Sequence, residues 1–177
     1  MPRADLAPAD MLISQIAAVV LMLTGSAVLL GWVVGSEMLT SLVPGLIAMN
    51  PATAVAFLLL GLSLWLSVMP AGVVHPAFLE VCGSIVFVAG ILKLCDASFG
   101  WNTGVDRLLF HDALEHVVVG APNRMAPTTA FSLALMGLAV TLSATRRGYV
   151  AGQALLMLAA LPPLLSALGY LYGIRSF

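Results

Sequence analysis

Met49-Asn50-Pro51-Ala52-Thr53-Ala54 opens one long apolar run, and Met125-Ala126-Pro127-Thr128-Thr129-Ala130 opens another, 76 positions later (125 − 49). The register then holds. Leu59 matches Leu135, Gly61 matches Gly137, Leu62 matches Leu138, Leu66 matches Leu142 and Ser67 matches Ser143. Repetition at a fixed offset is a signature of architecture. The repeated unit is an apolar helix with a proline start. The sequence therefore predicts an all-α integral membrane protein built from tandem transmembrane hairpins.

Composition supports that class. Hydrophobic residues make up 61% of the 177, charged residues 8%, and the mean hydropathy is +1.08. A soluble domain carries roughly a quarter charged residues, so these few cannot coat a soluble surface of this size. The net charge of −1 supplies no basic footprint for a nucleic acid. Cys82 and Cys95 both lie in or at the edge of one apolar run. They read as packing residues rather than a disulfide framework.

A spanning helix needs about 20 mostly apolar residues. Five segments qualify: Met11 to about Val34, Pro51 to about Met69, Pro76 to about Cys95, Pro127 to about Ala144, and Tyr149 to about Tyr172. The first is too long for a signal-peptide core and reads as an uncleaved anchor. Asn50 is placed to cap the second, and Pro51 suits the first helical position, where no N–H is needed. Pro162-Pro163 removes two backbone donors from the middle of the fifth, which predicts a kink or local unwinding. The organisation is a single membrane domain over 1–177. Repeat one covers about 11–69, repeat two about 76–144, and a third begins at about 149–177.

The connections differ. Val68-Met69-Pro70-Ala71-Gly72 and Ala144-Thr145-Arg146-Arg147-Gly148 are tight turns, Gly35 to Met49 is a medium loop, and Ser98 to Arg124 is long and polar. Within the long loop, Val105 to Val119 reads as a short amphipathic helix for the membrane–water interface. Leu109, Phe110, Ala113, Leu114, Val117 and Val118 fall on one side, and Asp106, Arg107, His111, Glu115 and His116 crowd the other. Arg146-Arg147 in a very short turn favours the cytoplasm for both tight turns and the N-terminus. The long loop and the C-terminus then face outward.

These residues resemble a known family. Many bacterial membrane sensor histidine kinases and diguanylate cyclases begin with a multi-helix membrane sensor module. Its even-numbered helices open with a phrase like Met-x-Pro-x-Thr-Ala and carry a later glycine, as in Met49 to Gly61 and Met125 to Gly137. Its outer loops often read like Phe99-Gly100-Trp101-Asn102-Thr103-Gly104-Val105-Asp106-Arg107-Leu108-Leu109-Phe110, and Leu168 to Gly173 resembles a later Leu-Gly-Tyr-Leu-Tyr-Gly stretch. The likeness runs from about Leu29 onward. It implies a sensory or signal-coupling role in a bacterial inner membrane. In the family the pattern continues into a third such helix and a cytoplasmic output domain. The expectation is therefore that this chain is a fragment, or an accessory subunit that has lost the output role.

Several residues admit both a functional and a plainer role. Met49, Pro51, Thr53 and Ala54, and their counterparts Met125, Pro127, Thr129 and Ala130, form helix openings whose free N–H groups suit an anionic ligand. Helix starting and capping is the simpler account. Gly61 and Gly137, with Ala54 and Ala130, offer small surfaces for close helix contact. His111 and Glu115 share a helix face, as do Asp112 and His116, which is a weak metal pattern because metal sites need three or four converging ligands. His75 lies in a tight turn on the other side. No histidine lies within a span to hold a haem.

Glu80, Lys93 and Asp96 are the charges in or near the third span, and an ionisable group there is a functional suspect. Snorkelling and an i, i+3 pair explain Lys93 and Asp96 without function. Trp32, Trp65, Trp101, Tyr170 and Tyr172 sit near span ends, as interface anchors do. No nucleophile–base constellation, phosphate loop or zinc pattern appears, so no catalytic residue and no cofactor is assigned. The expected partners are the lipid bilayer and other membrane helices, from a second copy or a larger complex. The second reading is a structural subunit packed in a respiratory or photosynthetic assembly. A transporter or enzyme ranks last, for want of a buried charged path.

Overall fold

The computed structural model describes residues 8–41, 48–69, 76–105, 108–110, 125–144 and 148–172. The described helices are α1 (Pro8–Val34), α2 (Glu37–Ser41), α3 (Pro51–Ser67), α4 (Pro76–Phe99), α5 (Pro127–Ser143) and α6 (Tyr149–Leu171). No strand occurs among the described residues. Within α1, α4 and α6, the stretches Ala9–Val34, Pro76–Phe99 and Tyr149–Gly169 are long and apolar enough to cross a membrane. The two repeated helices, α3 and α5, are apolar and 17 residues each.

Local chemistry sets the helix limits. Proline occupies the first turn of α3 and α5, where its missing N–H costs nothing. α4 also begins on a proline, Pro76. α1 and α4 stop at glycines in the left-handed region, Gly35 at φ 68° and Gly100 at φ 67°, a conformation glycine adopts without steric cost. Beyond Gly35 the Ser36 N–H donates to Gly31 O at 2.9 Å. That six-to-one bond satisfies a carbonyl the helix end leaves open. It also turns the chain into α2.

The chain divides into two compact units: residues 2–75 with 102–125, and residues 76–101 with 126–177. In the first, α1 pairs with α3, and α2 folds back on the end of α1. In the second, α4 pairs with α5, and α5 in turn carries α6. α6 sits on α5 at Gly152, where an added methyl would meet Ala139 O at 3.0 Å. Away from these contacts, α1, α4 and α6 present apolar side chains outward, among them Ile13, Val20, Val81, Ile85, Leu161 and Leu165.

The amphipathic helix expected over 105–119 falls mostly outside the described residues. In its described part, Val105 lies in a 3-10 turn, and 108–110 are not helical. Leu108 and Leu109 form a bend, and Phe110 takes φ 57°. That left-handed residue breaks a right-handed helix, and the Phe110 ring is drawn instead onto Trp32, centroid to centroid at 6.4 Å. The rest of that segment, including His111, Asp112, Ala113, Leu114, Glu115 and His116, lies outside the described residues. One expectation is corrected, the unwinding at Pro162-Pro163. α6 remains helical through both prolines. Leu158 and Ala159 merely lose the two N–H donors that an uninterrupted helix would direct at their carbonyls.

Candidate functional site

The repeated phrases meet their partner helices in the same way twice. In the first unit, a methyl added at Gly25 would lie 2.6 Å from Ala54 O, and one added at Gly61 would lie 2.9 Å from Ala18 O. In the second, a methyl at Gly90 would lie 2.8 Å from Ala130 O, and one at Gly137 would lie 2.7 Å from Gly83 O. Each crossing thus has two contacts, seven residues apart on each helix and running in opposite directions. The pairs are antiparallel, and small residues let their backbones touch, as membrane helices need when packing drives association.

The contacts also expose a second offset. Ala54 and Gly61 map to Ala130 and Gly137 at 76, but Ala18 and Gly25 map to Gly83 and Gly90 at 65 (83 − 18, 90 − 25). The stop glycines obey the second offset too (100 − 35). The eleven-residue difference (76 − 65) lies in the loops: residues 35–50 join α1 to α3, and 100–126 join α4 to α5. The hairpin is therefore the repeated unit, and the second copy has a longer loop. α6 keeps part of the pattern in sequence. Gln153 and Gly173 stand 73 positions after Glu80 and Gly100, and Pro163 stands where Gly90 would map. A helix with proline at that point cannot repeat the glycine crossing.

The helix openings share backbone but not chemistry. Asn50 adopts φ −63°, ψ 138° and Ala126 adopts φ −62°, ψ 141°, both extended. Asn50 is buried, and its Oδ1 accepts from the Ala52 N–H at 2.9 Å. Ala126 has no such group, and α5 lacks a side-chain cap. Asn50→Ala is expected to lower the unfolding free energy by about 1 kcal/mol, and Ala126→Asn to raise it by a similar amount. Unfolding in a detergent–denaturant titration followed by helical circular dichroism checks both. Of the other phrase residues, Pro51, Thr53, Ala54, Met125 and Ala130 are buried, Met49 and Thr129 are half-buried, and Pro127 is exposed.

The loop ends differ most. In the first hairpin, Val28, Trp32 and Ala54 form a buried cluster, with Leu29, Ala48, Met49 and Phe110 packed against it. The Trp32 Nε1–H donates to Met49 O at 2.9 Å. Trp32 is a core clamp, 7% exposed, which corrects its reading as an interface anchor. Its indole N–H finds a loop carbonyl, so the ring can be buried without cost. At the 65 offset, Val28 becomes Lys93, Gly31 becomes Asp96 and Trp32 becomes Ala97. Lys93 Nζ donates to Asp96 Oδ2 at 2.9 Å, with both side chains at 10% exposure or less. The i, i+3 pair is as expected from sequence. The snorkelling is not: Lys93 turns inward because its carboxylate partner is inside. Cys82 is buried and Cys95 half-buried, and both are free thiols.

No group of three or more potential metal ligands occurs among the described residues. The candidates His111, Asp112, Glu115 and His116 are not among those residues, nor is His75. Sequence reading missed the Trp32 clamp, the partner positions Ala18, Gly25, Gly83 and Gly90, and the second offset. The glycine pair Gly25/Gly90 and the stop pair Gly35/Gly100 carried the signal, but a search at 76 alone passes over both. No family model, curated protein or solved structure matches this chain.

Proposed function

We propose that this chain is a sensory or signal-coupling module of a bacterial inner membrane, with five spans. Three helices have the length and apolarity to cross. For α3 and α5 the support is their partners. Each lies antiparallel against a spanning-length helix, with contacts seven residues, or roughly 10 Å, apart along the axis. Helices held in that way share the same depth. A 17-residue helix is roughly 25 Å long, near the lower limit for a span.

The observation that carries the sensory reading is the contrast between two copies of one scaffold. The crossing is kept in both, while one end of the second copy has a buried ion pair in place of an apolar clamp, and the loop that follows it in sequence is longer and richer in ionisable residues. A uniform packing scaffold needs no such divergence. The resemblance of the repeated openings to membrane sensor modules supports the same reading. The accessory-subunit reading draws on the outward apolar faces of α1, α4 and α6, which suit partner helices as well as lipid.

Native electrophoresis of mildly solubilised source membranes separates the two. A sensory module is expected to migrate apart from the respiratory and photosynthetic assemblies. Stoichiometric co-migration with one of them would overturn this reading in favour of the subunit.

A further inference from the structure

We propose that Ser132 of α5 and the backbone carbonyl of Ala159 in α6 form a binding site for one water molecule, and that this water fastens the proline segment of α6 to α5. Two features meet there: a buried hydroxyl with no hydrogen-bond partner, and a carbonyl that a proline has deprived of its helical donor. The site does not depend on the sensory reading.

The seam between α5 and α6 has a definite register. A methyl added at Gly148 would meet Leu142 O, and one added at Gly152 would meet Ala139 O at 3.0 Å. Contact advances along α6 as it retreats along α5, so the two helices are antiparallel. Seven residues are close to two helical turns and return to the same face. Seven on from Gly152 is Ala159, and seven back from Ala139 is Ser132. Both are buried, Ala159 at 0% and Ser132 at 7% exposure. Ala130 and Gly137 of α5 are engaged by α4 instead. Ser132 and Ala159 therefore share one level of the α5–α6 seam.

Each brings an unmet hydrogen bond to that level. Among the described residues, Ser63 and Ser132 are the buried hydroxyls without a partner. Ser63 belongs to α3, whose partner α1 carries a proline only at its first residue. Ser132 belongs to the helix that packs on α6, and α6 holds two prolines inside, Pro162 and Pro163. Pro163 has no N–H to give the carbonyl four residues earlier, that of Ala159. An unmet polar group is costly in a bilayer, and groups freed by proline are satisfied there by serine or threonine side chains and by ordered water. Ser132 makes no direct bond. One water serves both groups, accepting from the Ser132 O–H and donating to Ala159 O. A buried water needs at least two polar partners, and the seam supplies them. The earlier helices lack both halves of the site. Ser132 corresponds to Ala56 at the 76 offset, and Pro162 and Pro163 correspond to Ala89 and Gly90 at the 73 offset of α6.

The sequence supplies a selective probe. It contains two Ala–Ala steps, Ala17-Ala18 and Ala159-Ala160. In the full chain made with alanine carrying carbon-13 at the carbonyl and nitrogen-15 at the amide, only these two steps give a one-bond carbonyl–nitrogen cross-peak. Solid-state NMR in hydrated lipid bilayers, with magnetisation started on water protons, reads how closely water approaches each carbonyl. Ala17 and Ala159 both lie well inside their helices, α1 and α6, so Ala17 is the internal reference. The Ala159 peak is expected to build up several-fold faster than the Ala17 peak. Ser132→Ala removes the hydroxyl, and Pro163→Ala returns a helical N–H to Ala159 O. Neither adds bulk to the seam, and each is expected to abolish the lead of Ala159. Equal build-up of the two peaks in the unaltered chain would overturn the site. A fast Ala159 peak that survives either variant would overturn it too, because water would then reach α6 without these two groups. Native electrophoresis reads neither peak, so the site and the sensory reading fail separately.

Discussion

Gly137→Ala is expected to separate the second hairpin at a cost of about 3 kcal/mol, the upper part of the usual range for overpacking. The added methyl would meet the Phe87 N and Cα and Gly83 O, all backbone atoms of α4. No side-chain rotation relieves such a contact, so the helices must move apart along the crossing. Membrane helices gain little from hydrophobic burial against each other, and lost packing is not compensated elsewhere. Gly61→Ala is the informative comparison. Its nearest neighbour is Met22 Cγ at 2.8 Å, the flexible part of a side chain, with Ala18 O at 2.9 Å and Leu21 Cβ at 3.1 Å. Part of that clash can be relieved, so the cost should be clearly smaller. Gly35→Ala tests a different effect, since nothing lies within 4 Å of its added methyl. There the cost is backbone strain alone, about 1–2 kcal/mol for a left-handed residue. Denaturant titration in detergent, read by helical circular dichroism, measures all three. A Gly137→Ala protein as stable as wild type, or an inverted order of Gly137 and Gly61, would remove the crossing from the account.

Much of this architecture was legible because the signals are local. Proline at a helix start, a capping Asn50 and apolar runs bounded by turns place the limits of α3 and α5 within two residues of those observed. The five helical segments follow from run length in the same way. Tertiary choices were harder to read. Trp32 near a helix end fits an interface anchor equally well. Only the fold shows a loop carbonyl waiting for its N–H and Phe110 stacked on its face. Lys93 near a helix end fits snorkelling equally well. The inward turn depends on Asp96 being inside as well. The periodicity of 105–119 suggests a helix, but at the described residues 108–110 the chain departs from it, and Phe110 answers to its contact with Trp32, far away in sequence. The second offset was hidden because a loop insertion shifts one helix of the pair against the other. A repeat search in one register sees half of each hairpin. The contacts of Gly25 with Ala54 and of Gly90 with Ala130 recover the other half.

If, as proposed, α3 and α5 cross the membrane as well as the three longer helices, the chain is two whole hairpins and a fifth span. Labelling both ends does not test it, because three spans and five spans alike leave the termini on opposite faces. The loops do. Single cysteines at Gly45, Gly72, Asn123 and Arg146, placed one at a time in a chain with Cys82 and Cys95 replaced, would be tested in intact cells and in inverted vesicles. The reagent is a membrane-impermeant maleimide. Positions 45 and 123 are expected to react only from outside, and positions 72 and 146 only from the cytoplasmic face. Reaction of 45 and 72 from the same face would show that α3 does not cross, and would contradict the hairpin architecture on which the rest is built.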